Sequence, residues 1–83
     1  MAVSETDAKR EAMVAMMAML STQITATSVL ADELVAASVA AAGTPLAKAM
    51  LSHARRYRID VLELQGQLAA LSSDYTRHPR AGL

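Results

Sequence analysis

The stretch AGTPL at residues 42–46 is the one strong helix breaker in a chain that is otherwise compatible with helix throughout. Gly43 suits the left-handed position just past a helix, Thr44 can cap the next one, and Pro45 fits its first turn. Upstream, Ser4 with Asp7 is close to a capping box. Nothing between these marks stops a helix. The punctuation therefore predicts helix 1 over about 5–42, a turn at 43–45, helix 2 over about 45–76, and a loose tail over 77–83 ended by Pro79 and Gly82. At ~1.5 Å per residue these are rods of roughly 45 to 57 Å. Gly66 costs helix 2 about 1 kcal/mol relative to Ala and is read as tolerated there. The fold class is all-α: a single domain made of one antiparallel helical hairpin.

Heptad spacing supports the hairpin. Alternating steps of four and three along helix 1 select Met13, Met17, Leu20, Ile24, Thr27, Ala31, Leu34, Ser38 and Ala41. In helix 2 they select Ala47, Met50, Ala54, Tyr57, Val61, Leu64, Leu68, Leu71 and Tyr75. Folding at Gly43 and Thr44 brings the two sets into antiparallel register, with Ile24 facing Leu64, Leu20 facing Leu68 and Met17 facing Leu71. Small residues then meet large ones, Ala31 opposite Tyr57 and Ala54 opposite Leu34, as close packing prefers.

Two such helices make a weak unit. The chain has 83 residues, 53% of them hydrophobic, yet no Phe, no Trp and two Tyr. Ala, Leu, Val and Met carry the apolar content, and Ala buries little area. A core of this size barely balances chain entropy, and oligomerisation is the usual remedy where disulfides and metals are lacking. There is no Cys, so no thiol chemistry and no oxidising compartment is implied. The seam also leaves apolar residues over: Val14, Met16, Met19, Val29, Leu30, Val35 and Val39 on helix 1, and Leu51, Ile59 and Leu62 on helix 2. A lone hairpin cannot cover them, and so much exposed apolar surface is unusual for a monomer. Pairing two hairpins into a four-helix bundle covers most of it. The candidate partner interface is Val14, Met16, Met19, Leu30, Val35, Leu51 and Leu62, with a second copy or another helical protein as partner. Met is an adaptable filler on surfaces that receive helices, which singles out Met16 and Met19.

Charge is balanced overall and uneven locally. Residues 1–44 carry five acids (Glu5, Asp7, Glu11, Asp32, Glu33) against Lys9 and Arg10; residues 45–83 carry six bases (Lys48, Arg55, Arg56, Arg58, Arg77, Arg80) against Asp60, Glu63 and Asp74. The halves are −3 and +3. In the antiparallel register Asp32 and Glu33 come to the height of Arg55 and Arg56, Glu11 near Arg77 and Asp7 near Arg80, which favours this orientation. The basic run LSHARRYRID at residues 51–60 is read mainly as a charged flank. Its functional rival is nucleic acid, with Lys48, Arg55 and Arg58 on one side of helix 2. Neutral net charge, the absence of a compact helix-turn-helix and a single aromatic in the run argue against it.

Residues 12–31 contain no charge and are as long as a bilayer span. Ser21, Thr22, Gln23, Thr25, Thr27 and Ser28 make them polar for hydrocarbon, so a membrane-associated helical peptide is the lesser alternative. A cleaved signal peptide fits worse, because Glu11 abuts the apolar run. The expected compartment is the cytoplasm.

Catalytic patterns are missing from the sequence. His53 borders the seam with no carboxylate or second His at helical spacing, and His78 lies in the tail. Glu-x-x-His is absent, Ser residues have no placed base, and there is no Gly-rich phosphate loop. RYRID followed by Leu64, Leu68 and Leu71 resembles the opening helix of small all-helical chorismate mutases. Those enzymes continue with further helices carrying catalytic cations, which this chain lacks. The hairpin shape is similar to small secreted Trp-x-Gly hairpin dimers, but there is no Trp. The sequence reading is a non-catalytic helical interaction module, an adaptor, assembly factor or regulator without cofactor or metal.

Overall fold

The computed structural model describes residues 5–77, and these form two helices, α1 (Glu5–Ala40) and α2 (Pro45–Arg77). They pack along their length into a slab of 63 × 21 × 12 Å. Helix α1 stops two residues short of the expected 42. Its last carbonyls are taken up by a tightening turn, in which the Ala42 amide donates to Val39 O at 3.2 Å and the Thr44 amide to Ala41 O at 3.1 Å. Gly43 has φ +86°, the left-handed conformation the sequence demanded of it. Thr44 serves both helices. Its hydroxyl donates to Ala41 O at 2.7 Å and accepts from the Ala47 amide at 3.4 Å, closing α1 and capping α2 at once. Ser4, His78, Pro79, Arg80 and Gly82 lie outside the described residues.

The seam is where the spacing put it. Met13, Ala31 and Ser38 of α1 and Ala47 and Ala54 of α2 are buried, and every other selected position is half-buried. Ala31 and Ala54, set opposite Tyr57 and Leu34 by the register, are the most covered, at 1% and 2% exposure. Two contacts pin the register from either side. Near the open end the Arg10 guanidinium lies 4.1 Å from the Tyr75 ring centroid and donates to Tyr75 O at 3.4 Å. Further along, Arg58 reaches Asp32 at 3.9 Å. Ile24 falls between these points along α1, as Leu64 does along α2.

The expected ion pairs are partly redrawn. Asp32 pairs with Arg58, not with Arg55 or Arg56: Asp32 follows Ala31 and Arg58 follows Tyr57, its opposite in the register, so the two leave the seam on the same side at the same height. Arg55 lies on that side about one turn away, and Arg56 precedes the seam on the other side. Arg77 binds Asp74 of its own helix at 3.2 Å, a local i,i+3 pair, instead of reaching Glu11. The Asp32–Arg58 contact joins two side chains that are 77% and 61% exposed, so it is worth well under ~1 kcal/mol.

The core is thin. No large side chain is fully buried among the described residues. A two-helix unit covers one edge of each rod, and these edges hold mainly Ala, half-covered Leu and Met.

Candidate functional surface

The side chains outside the seam fall on two broad faces of the slab. At 3.6 residues per turn, a residue just before a seam position and one just after it flank the seam on opposite sides. Met16, Met19, Gln23 and Leu30 precede seam residues, as do Gln67, Ala70 and Asp74 on α2; they make up a methionine face. Val14, Ser28, Asp32 and Val35 follow seam residues, as do Leu51, Arg58 and Leu62 on α2; they make up an arginine face. Each face carries a shallow groove between the helices. The one on the methionine face is about 430 Å³, floored by Leu20 and Leu71 and walled by Met16, Met19 and Gln67. The one on the arginine face is about 290 Å³, running from Ser28 and Asp32 to Arg58 and Leu62.

The seven residues singled out as an interface therefore form two patches, not one stripe. Met16, Met19 and Leu30 are 54%, 63% and 45% exposed on the methionine face. Val14, Leu51 and Leu62 are exposed on the arginine face, while Val35 is half-buried beside the seam. Lys48, Arg55 and Arg58 share the arginine face too, all exposed. The Asp32 carboxylate sits among them and pairs with Arg58, which lowers the positive potential a phosphate would meet.

The two helices differ in kind. Outside its seam, α2 is charged: Arg56, Asp60, Glu63 and Asp74 line its methionine-face edge. Over residues 12–31, α1 carries no charge on any side, and only 6% of its most apolar stretch is buried inside the hairpin. Its hydroxyls are partly hidden. Thr22 and Thr25 donate back to Ala18 O at 3.0 Å and Ser21 O at 3.1 Å, so they present methyl groups and satisfied oxygens outward. Sequence reasoning counted these threonines as polar, although any Thr placed inside a helix has a carbonyl four residues back to which its hydroxyl can donate.

Comparison with family models, curated proteins and solved structures finds no match. Function must then be argued from the surface itself. Among the described residues no cluster of His, Asp or Glu is arranged to hold a metal ion. His53 is exposed on α2, beside Arg56, Asp60 and Glu63 along a shallow depression. The Arg10–Tyr75 stack was not anticipated, because Arg10 lies one step before the first apolar seam residue and reads as a terminal charge. Its aliphatic stem and planar head let it extend the seam by another turn.

Proposed function

We propose that this chain is a non-catalytic helical interaction module that acts by docking its uncovered apolar surface against another helical surface, its own or a partner's. The observation that carries this reading is the state of α1. A helix without charge on any side over residues 12–31 suits an interior, yet the hairpin covers it along one edge only. Met16, Met19 and Leu30 on one face, with Val14, Leu51 and Leu62 on the other, supply anchors of the type that fill grooves between helices. Such a module suits an adaptor, assembly factor or small regulator of the cytoplasm, with a four-helix bundle as the assembled form. Light scattering on the purified protein is the test. The expected result is a dimer or larger species; a well-folded monomer at micromolar concentration defeats the reading.

A second reading is favoured by one further observation. Helix α1 is long and apolar enough to cross a bilayer, and its back-bonded threonines lower the polarity that argues against that. In that case α1 would seat in lipid. Flotation with neutral phospholipid vesicles after a high-salt wash separates the two: a membrane helix rises with the vesicles, and a protein-docking hairpin stays behind.

A further inference from the structure

We propose that the methionine face of α1 is the contact for a second copy of this chain, with the two α1 helices antiparallel about a two-fold axis that crosses them midway between Met19 and Gln23. The proposal rests on the interaction-module reading and adds the occupant and the face. For contact between α1 and α1, charge separates the two faces. On the arginine face every charge of α1 is acidic (Asp7, Glu11, Asp32), so self-pairing there sets like charges together or lays a carboxylate on Val14 or Val35. The methionine face of α1 carries Glu5 and Lys9 in its first turns and Glu33 near its far end, and Lys9 and Glu33 are of opposite sign. Both are exposed, and neither makes an ion pair among the described residues.

The antiparallel register that brings Lys9 to Glu33 of the second copy also sets the apolar residues in order. Ala12 meets Leu30, Met16 meets Ala26, and Met19 meets Gln23, each contact occurring twice by symmetry. At two of these three heights a small residue opposes a large one, as within the hairpin seam, and at the centre the two long side chains Met19 and Gln23 meet. The contact spans residues 9–33, roughly 36 Å of helix at ~1.5 Å per residue. No charged residue of this α1 face lies inside it. Helix α2 brings Arg56, Asp60, Glu63 and Asp74 to the same side, where they form a wet rim.

The test exploits the pairing at the ends and the absence of cysteine. Lys9→Glu alone and Glu33→Lys alone each put like charges at both ends and should weaken the dimer by roughly ten-fold in sedimentation equilibrium at low salt. The double variant K9E/E33K should restore it. Separately, Met16→Cys mixed with Ala26→Cys should give a disulfide-linked dimer that neither variant gives alone. Circular dichroism on each variant reports whether the helices persist; both charge sites are exposed and should leave the hairpin folded. Dimerisation indifferent to the charge swap, or cross-linking through Ser21→Cys with Thr25→Cys on the opposite face, overturns the proposed contact while leaving the module reading in place. A strict monomer overturns both.

Discussion

Ala31 and Ala54 show how much of this fold is set by single small side chains. At 1% and 2% exposure they leave no space for extra methylenes. Ala31→Leu or Ala54→Leu should lower stability by about 1–3 kcal/mol through overpacking, whereas Ala36→Leu on the exposed side of α1 should be close to neutral. Urea unfolding midpoints across the three variants check this. At the open end, the stack of Arg10 on Tyr75 should show as coupling: a double-mutant cycle with Arg10→Ala and Tyr75→Ala should return about 0.5–1 kcal/mol. A cycle that closes at zero would mean the contact is incidental to the seam.

At the scale of the element, the two helices obey different constraints. Helix α2 separates an apolar edge from charged flanks and is defined by its partner; α1 is uncharged around its middle and has more surface to bury than one neighbour can cover. Their junction is where local chemistry is strictest. Gly43 at φ +86° cannot be replaced cheaply, so Gly43→Ala should destabilise the hairpin by about 1–2 kcal/mol. The same substitution at Gly66 should act in the opposite sense. A Cβ there meets nothing within 4 Å, and Gly66→Ala should stabilise by roughly 0.5–1 kcal/mol through helix propensity. Thermal or urea unfolding of the pair gives opposite shifts if turn geometry and helix propensity are the only terms. A loss at Gly66 would instead reveal that a second chain approaches it closely.

For the whole molecule, the deciding quantity is how little the hairpin buries. A slab one helix thick, with no large side chain fully covered among the described residues, has little core to set against the entropy of ordering two long rods. If assembly supplies the remainder, the melting midpoint must depend on concentration. It should rise by several degrees between about 5 μM and about 500 μM, as mass action requires for a folded oligomer in equilibrium with unfolded chains. Met19→Asp on the methionine face should abolish that dependence, and Leu62→Asp on the arginine face should leave it intact. A midpoint constant over this range would show that the hairpin is self-sufficient.

The linear order of residues determined the helices, their turn and their seam. Gly-Thr-Pro is the one breaker, and the short turn it makes selects one of the heptad-spaced antiparallel registers in which a four-three spacing of apolar and small residues can be buried. Such features are local or periodic, and propensity and periodicity act before any tertiary contact forms. The tertiary structure decided what lies beside the seam. Whether Asp32 finds Arg58 or Arg55, whether Arg77 turns to Asp74, and whether Arg10 caps Tyr75 depend on side-chain reach across a particular edge, which spacing does not specify. The division of seven apolar candidates between two faces has the same origin. A heptad count separates seam from non-seam, but only two helices placed side by side give the non-seam residues an upper and a lower surface.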